Sequence, residues 1–383
     1  MNVLLVADDA PSGRRMRAIA RVLESEGHRA SVFDLPTAST DRANTDLRDV
    51  RPRWTADTVV AAPWSLPTGA FLRGHLLVAD GISIRPVELA ATDAGDRAHA
   101  RRILQSERRA RLVAARADAV LVAGEAQRRW WSDRLGLREA PLVDVPSGIP
   151  DDDLECDAPG PPGVPPSWAM VVWWGGASPR LDLDTLLAAR ALLGGAAVSV
   201  VVPTSDPSDA SAASISTADV MDRASAHGLR PPQVVALPRY GSDGEPWRIL
   251  TRAAVTAVLH HPGLEAELSF RTRALDGLWA RTPLLVTEGG AVSDLVRSGG
   301  WGAVVPPHEP RSTAAAMELL LRDRTRARCS EAMARDRERW RWSRVARPIV
   351  DLLPDLPVVS RSGIAATAFR MAIARWRPGG RAA

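Results

Sequence analysis

The residues of this sequence with the greatest chemical potential lie between Leu264 and Val296. Around the start of one predicted helix stand three carboxylates and two guanidiniums, namely Glu265, Glu267, Arg271, Arg273 and Asp276. Carboxylates accept hydrogen bonds from sugar hydroxyls, and arginine offers a bidentate fork to a diphosphate. A helix N-terminus adds its own attraction for phosphate. The mixture is typical of a sugar-nucleotide site, although a helix face with surface salt bridges would use the same residue types.

Two glycine pairs follow predicted strands in the same half of the chain. Gly175 and Gly176 come after the first of these strands, and Gly289 and Gly290 come after a later one. Because glycine has no side chain, backbone N–H groups at such a turn can approach a phosphate closely. Both pairs are therefore candidate phosphate contacts, with Arg180 as a nearby cation, and a plain turn is the alternative interpretation.

Alternating apolar strands and amphipathic helices must position these groups. A first series of predicted strands lies at 3–7, 30–33, 58–62, 75–79 and 119–122. A second series lies at 169–173, 197–202, 234–237, 254–259, 284–287 and 303–305. The β-α-β order enforces parallel pairing. We therefore predict an α/β chain with two Rossmann-like doubly wound domains facing across a cleft and functional groups at the carboxyl ends of the strands.

The length of 383 residues supports two cores, because single cores stop growing near about 250–300 residues. A segment rich in acids, proline and glycine separates the two series and predicts a linker. The predicted organisation is an N-terminal domain, the linker, a C-terminal domain and a return segment with a basic tail, at residues 1–150, 151–166, 167–345 and 346–383.

Composition indicates a cytoplasmic protein that does not span a membrane. No apolar run approaches the ~20 residues that cross a bilayer, and the first apolar run ends at Asp8 and Asp9, as a strand would rather than a signal peptide. Cys156 and Cys329 lie far apart without a CxxC pair or histidine neighbours, so neither a disulfide framework nor a metal site is predicted.

The last 24 residues, 360–383, carry five arginines and no acid. These arginines surround Phe369, Ile373 and Trp376, and a basic amphipathic segment of this kind can lie on an anionic membrane surface. We therefore expect a peripheral contact of the tail with the inner face of the membrane. A frayed, solvated terminus is the alternative.

The segment LDGLWARTPLLVTEGGAVSDLVRSGGWGAVVPP is similar to the LEAMAxGxPVVATxxGGxxE(L)V…GxLVPP signature of family 4 glycosyltransferases. LSFRTRALDGLW resembles a bacterial branch of that family, many members of which belong to surface-polysaccharide clusters of the cell envelope. VVWWGGASPRLDLDTLL resembles the family's glycine-containing loop. The resemblance implies the GT-B fold and transfer of a hexose from a nucleotide-diphosphate sugar to a glycan, lipid-linked or small-molecule acceptor. It further implies retention of the anomeric configuration and no need for a metal or added cofactor.

The resemblance also assigns roles to individual residues. Asp276 occupies the position of the family's second Glu, which binds the ribose hydroxyls. Leu268 stands where the family has its first Glu, so Glu265 or Glu267 would face the sugar. Family members bind the phosphates with an arginine and a lysine. Because all 49 basic residues of this chain are arginine, the candidates are Arg180, Arg271 and Arg273.

The N-terminal domain resembles the family's acceptor domains. A loop ending at Gly13 precedes a helix that closes with Gly27 and His28. On this resemblance Gly13 and Asp80 are expected on the acceptor side. His75 is an acceptor-side candidate by its position in the sequence, with a structural role as the alternative. Further candidates are Glu88, Glu125 and Gln127. Helix capping is the alternative role for these acids, because Asp and Glu at strand ends often cap helices.

Three other classes fit the sequence poorly. A phosphorelay receiver would need an aspartate at the end of its third strand and a lysine at the end of its fifth, but the chain has no lysine and Asp57 precedes its strand. A nicotinamide dehydrogenase would need the motif GxGxxG followed by an acidic residue about 20 positions later, and neither predicted domain carries this motif. A DNA-binding protein would show a basic stripe, whereas these arginines are interleaved with acids. Two alternatives stay open: a GT-B sugar-nucleotide epimerase or hydrolase, and a non-catalytic glycosyltransferase-like partner protein.

Overall fold

The computed structural model describes residues 1–7, 10–34, 56–64, 76–92, 96–135, 140–154, 160–176, 178–204, 215–238 and 246–356. The chain forms two compact units. One comprises Met1–Gly148 together with the chain from Trp342, and the other comprises Ile149–Arg341. His75, Asp8, Asp9 and the tail at 360–383 lie outside the described residues, so the structure does not bear on the roles predicted for them.

The first unit is built on a parallel sheet with the order β2-β1-β3-β4-β5-β6. Its strands are β1 (Asn2–Ala7), β2 (Arg29–Asp34), β3 (Thr58–Ala61), β4 (Leu76–Asp80), β5 (Ala119–Val122) and β6 (Leu142–Asp144). Its first helices are α1 (Ala10–Ser25), α2 (Arg85–Ala90), α3 (Arg97–Arg116) and α4 (Glu125–Arg129), the last running into a π-helical turn at Trp130–Arg134. Strands β3, β4 and β5 are buried along their whole length, because helices cover both faces of a parallel sheet.

The second unit repeats this plan with the strand order β12-β11-β10-β7-β8-β9, all parallel. Its strands are β7 (Ala169–Trp173), β8 (Val198–Thr204), β9 (Val234–Pro238), β10 (Val255–Val258), β11 (Leu284–Thr287) and β12 (Gly302–Val305). Its helices are α5 (Leu183–Leu192), α6 (Thr217–Ala226), α7 (Leu264–Leu268), α8 (Thr272–Ala280), α9 (Gly290–Gly299), α10 (Pro310–Leu320) and α11 (Asp323–Asp336). Short 3₁₀ segments occupy Pro246–Arg252 and Arg337–Trp340.

The chain then returns to the first unit through α12 (Trp342–Val345) and α13 (Arg347–Asp355). Ile349 and Leu353 of α13 are buried in the same apolar core as Ile19 and Leu23 of α1. Helix α13 is therefore part of the first unit's core. Among the described residues no helix is both long enough and apolar enough to cross a bilayer.

Buried arginines join chain segments in both units. Arg190 of α5 is completely buried and donates to three main-chain carbonyls, those of Gly194, Ala196 and Val198. Arg15 of α1 forms a buried ion pair with Asp80 at 2.9 Å and donates to the carbonyl of Val145. A guanidinium presents five donors in one plane, so a single side chain can satisfy several acceptors at once.

Most predicted strands appear within one or two residues of their predicted limits, because long apolar runs between turns have few alternatives. The helix expected near the cluster of acids and arginines begins at Thr272, with Arg271 as its N-cap. The short edge strand β6 was not predicted, since three residues carry too little periodicity to be recognised.

Candidate functional site

The candidate site lies where β7 and β10 are neighbours in the second sheet. Here the strand order reverses direction along the chain, so the connections leaving the two strands run to opposite sides and a crevice opens at their carboxyl ends. The turn at Gly175 and Gly176, called here the glycine turn, follows the end of β7. The segment that leads to Glu265 follows the end of β10. The order of the strands therefore brings together distant parts of the chain. Arg180 and Glu265, for example, are 85 positions apart in the sequence and hydrogen-bonded.

Arg273 holds the glycine turn. Its Nη1 donates to the carbonyl of Gly175 and, at 3.3 Å, to that of Trp174. Gly176 has a φ of 77°, and a Cβ there would lie 2.6 Å from Nη1 of Arg273. A Cβ at Gly175 would lie 2.3 Å from the ring of Trp173. Both positions therefore require glycine, and the exposed guanidinium sits directly against the turn.

Asp276 lies one helical turn after Arg273 on α8, so the two side chains share a face. Its Oδ2 accepts a hydrogen bond from Nε1 of Trp174 at 2.7 Å. The structure thus brings together the glycine turn, Arg273 and Asp276. A half-buried carboxylate beside a guanidinium and a glycine turn offers acceptors for hydroxyls next to a donor for phosphate.

Arg180 and Glu265 form a second contact in this crevice. Nη1 of Arg180 donates to Oε1 of Glu265 at 2.8 Å, and Nδ1 of His260 lies 3.6 Å from Oε2. Burial alone would raise the pKa of Glu265, but the His260 ring and the Arg180 guanidinium outweigh it, so this pKa lies below its ordinary value. Burial lowers the pKa of His260, which keeps that ring neutral at neutral pH. Glu265 is therefore an oriented, ionised carboxylate.

Arg271 is directed away from the glycine turn. It is buried, with 3% of its surface exposed, and its guanidinium donates to three carbonyls, those of Ala266, Thr287 and Glu288. Burial lowers its pKa to about 10, so the side chain stays charged at neutral pH. These bonds tie the start of α8 to α7 and to the end of β11. In this structure Arg271 therefore supports backbone carbonyls beside the site, while Arg273 contacts the glycine turn.

The second glycine pair shapes the junction between α7 and α9. Gly289 and Gly290 have φ values of 100° and 73°, and a Cβ on Gly290 would lie 2.7 Å from the carbonyl oxygen of Ala266. The pair therefore lets the N-terminus of α9 approach α7. Glu267, also on α7, is exposed.

Of the residues predicted for the acceptor side, those that the structure describes lie in the first unit and make internal contacts there. Asp80 is 3% exposed and is held by Arg15. Gly13 is buried within α1, and a Cβ there would lie 2.7 Å from Nη2 of Arg17. The remaining candidates also have local partners: Glu88 accepts from Ser83, Glu125 pairs with Arg129, and Gln127 bonds Ala123 and Ile82.

Sequence reasoning missed two residues of the site, Trp174 and His260. Trp174 directly precedes the glycine pair, and an indole N–H in a loop that follows a buried strand usually needs an acceptor. That signal could have linked Trp174 with a carboxylate. His260 carried no comparable signal, because its neighbour Glu265 lies on another element and the contact depends on how the chain folds after β10.

No family model matches the chain, and no curated protein matches it. Solved structures do match. The sucrose-phosphate synthase of Thermosynechococcus elongatus is 15% identical with a TM-score of 0.70, covering 93% of this chain and 99% of that one. HepE of Anabaena, solved in complex with UDP-glucose, is 15% identical with a TM-score of 0.65, covering 93% and 100%. WaaG, a glycosyltransferase involved in lipopolysaccharide biosynthesis, is 13% identical with a TM-score of 0.66, covering 92% and 99%.

These similarities extend over nearly the whole length of each protein. With two six-stranded parallel sheets flanked by helices, they establish that the chain has the GT-B fold. At these identities the likeness concerns the fold, and function must be argued from the site.

Proposed function

We propose that this protein is a glycosyltransferase that takes its sugar from a nucleotide-diphosphate donor bound by the second unit. The observation that carries the proposal is the cluster formed by the glycine turn, Arg273 and Asp276 at the switch point of the sheet. HepE, which shares the fold, was solved with UDP-glucose. Membership of family 4 and of its surface-polysaccharide branch is part of the proposal and rests on the LSFRTRALDGLW and VTEGG segments.

In the proposed mechanism Arg273, Arg180 and backbone N–H groups of the glycine turn neutralise the donor diphosphate. Asp276 accepts hydrogen bonds from the ribose hydroxyls, its carboxylate being already oriented by Trp174. The sugar–phosphate bond breaks towards an oxocarbenium-like state, and the acceptor hydroxyl attacks from the same face while its proton passes to the departing phosphate. Electrostatic stabilisation of the leaving group supplies most of the rate enhancement. Transfer would then retain the anomeric configuration and need no metal.

A screen of nucleotide-diphosphate sugars by thermal shift tests donor binding. A true donor at 100 times its Kd should stabilise the protein by about 2.7 kcal/mol. The stabilising donor is then incubated with the protein and a panel of glycan and lipid-linked acceptors, and the products are identified by mass spectrometry. A glycosylated acceptor supports transfer. Failure of every nucleotide sugar to shift the melting temperature contradicts the proposal.

An epimerase is the second candidate, because a protein described as a UDP-N-acetylglucosamine 2-epimerase of Listeria monocytogenes shares the fold at 11% identity and a TM-score of 0.58. The same incubation without acceptor distinguishes the two. An epimerase would convert the donor into its epimer, which is resolved by NMR of the sugar protons. A transferase would leave the sugar configuration of unreacted donor unchanged.

Between the two candidate carboxylates we assign the donor pocket to Glu265, because its oxygens are fixed by Arg180 in the crevice. Glu265→Gln should weaken donor binding about tenfold, since a charged hydrogen bond contributes about 1.5–3 kcal/mol. Glu267→Gln, on the exposed side of α7, is the matched control and should bind donor like the wild type. Isothermal titration measures both. Equal losses in the two variants, or a loss only in Glu267→Gln, would move the sugar contact to Glu267.

The conformation of the glycine turn gives a further test. Gly176→Ala places a Cβ in a left-handed backbone conformation and 2.6 Å from Arg273, which should cost about 1–2 kcal/mol and displace the guanidinium. Donor affinity should fall about 5- to 30-fold. Gly195→Ala is the control, because no atom lies within 4 Å of a Cβ at that position. Unchanged donor affinity in Gly176→Ala would mean that the turn does not contact the donor.

A further inference from the structure

A second group of chemically active side chains lies close to the crevice and has no part in the proposed transfer. It consists of Asp182, His261 and His308 and is called here the His–Asp cluster. Nδ1 of His261 lies 2.7 Å from Nε2 of His308. Oδ2 of Asp182 lies 3.9 Å from the first nitrogen and 3.7 Å from the second. Three ligand atoms of the kinds that bind transition metals thus surround one point.

The backbone places two members of the cluster on paired segments. Leu181 and His260 form an antiparallel bridge, the amide of His261 donates to the carbonyl of Arg180, and the amide of Asp182 donates to that of Leu259. The two ligand-bearing segments are therefore fixed against each other by main-chain hydrogen bonds. This rigidity favours a binding site, because little conformational freedom remains to be lost.

His308 reaches the cluster from the segment after β12. It has a φ of 58°, the left-handed region that non-glycine residues seldom occupy. Such a conformation has an energetic cost and concentrates at functional sites. Here it accompanies the approach of the His308 ring to within 5.0 Å of the His261 ring, centroid to centroid.

Asp182 is oriented before any ligand arrives. The hydroxyl of Thr185 donates to Oδ2 at 2.6 Å, and the amide of Thr185 donates to Oδ1 at 3.0 Å, so Asp182 caps α5. A carboxylate oxygen has two acceptor sites, which leaves Oδ2 able to bind a cation as well. Outer hydrogen bonds of this kind are typical of metal ligands, because they fix the carboxylate's direction.

The distances fit a small tetrahedral ion. Zinc–nitrogen bonds of about 2.0–2.1 Å imply ligand atoms about 3.3 Å apart. The three observed separations, 2.7, 3.7 and 3.9 Å, bracket that value. Small rotations of the two exposed imidazole rings would equalise the three separations. Asp182 is only 3% exposed, so it would supply the fixed side of the site, and the fourth position would face solvent.

We propose that the His–Asp cluster binds one divalent transition-metal ion of the zinc class, through Nδ1 of His261, Nε2 of His308 and Oδ2 of Asp182. Nitrogen and carboxylate ligands select zinc, cobalt or nickel over magnesium, which requires an oxygen octahedron. The ion would join the segment after β12 to the two segments that carry Arg180 and His260. This site is independent of the proposed transfer reaction and stands if that reaction proves different.

The experiment uses the full-length chain freed of metal by chelator dialysis and titrated with ZnCl₂ by calorimetry. The wild type should bind one zinc ion per chain at the His–Asp cluster, and its melting temperature should rise on binding. Titration with CoCl₂ should give the intense visible absorption of tetrahedral cobalt. His308→Asn should weaken zinc binding at least about tenfold, and asparagine tolerates the left-handed backbone, so the fold is preserved. His261→Ala should have a similar effect.

His227→Ala is the matched control. His227 also lies beside a carboxylate, with Nε2 4.0 Å from Oδ1 of Asp184. Its replacement should leave the zinc affinity unchanged. The proposal is overturned if the wild type binds neither ion, or if His227→Ala loses as much affinity as His308→Asn. It is also overturned if His308→Asn, with an unchanged circular dichroism spectrum, binds zinc like the wild type.

Discussion

Replacing Arg273 by alanine is expected to lower kcat/KM for the donor by about 10²- to 10³-fold, the loss seen when one pre-positioned donor to a developing anion is removed. The guanidinium lies against Gly175 and one helical turn from Asp276, so its loss removes positive charge where the diphosphate would leave. The Kd for the nucleoside diphosphate should rise at least about tenfold. Steady-state kinetics with the donor found by the screen, together with calorimetry, measure both quantities.

Arg297→Ala is the control for this experiment. It removes the same charge from the same unit, but the Arg297 side chain is 58% exposed and contacts Asp294 on its own helix. Its kinetics should match those of the wild type. Arg273→Lys should fall between the wild type and Arg273→Ala, because lysine keeps the charge and loses the planar fork. Wild-type kcat/KM in Arg273→Ala would remove Arg273 from the site.

Arg271→Ala is expected to destabilise the protein by about 3 kcal/mol or more, because each buried acceptor left without its donor costs about 1–3 kcal/mol. Carbonyls of Ala266, Thr287 and Glu288 would lose their donor, and the space left by the side chain would remain unfilled. The midpoint of urea unfolding, followed by circular dichroism on the full chain, should therefore fall strongly. Arg297→Ala should stay within about 0.5 kcal/mol of the wild type.

The opposite result for Arg271 would also be informative. If Arg271→Ala unfolds at the wild-type urea concentration but loses nucleoside diphosphate affinity, the side chain must leave its carbonyl partners and bind phosphate. That result would restore the phosphate-binding role assigned to Arg271 from the sequence resemblance. Measuring both properties on the same protein separates support of the backbone from contact with the ligand.

The fold and the centre of the site could be predicted because each depends on strong local signals. Apolar runs at regular intervals define parallel strands, and the carboxyl ends of parallel strands meet at one edge of a sheet. The glycine turn after β7 and the arginine-rich segment after β10 were therefore expected to converge. In the structure Arg273 contacts Gly175, and Asp276 contacts Trp174.

The direction of Arg271 could not be predicted from spacing. Arg271 is the N-cap of α8 and lies outside its helical repeat, so the helical periodicity does not set the direction of its side chain relative to that of Arg273. The exact start of α8 decides which of the two is buried, and helix ends are the least predictable feature of a sequence. The approach of His308 to His261 was also hidden, because 47 residues separate them and a left-handed backbone brings His308 into place.

The buried arginines limit how this lysine-free chain can be re-engineered. Arg15, Arg190 and Arg271 each hold several acceptors in one plane, and an ammonium group on a single flexible stem cannot span them. Arg129, by contrast, is exposed and pairs with Glu125 one helical turn away. Lysines introduced for immobilisation, labelling or crystallisation should therefore be accepted at surface positions and should unfold the protein at those three.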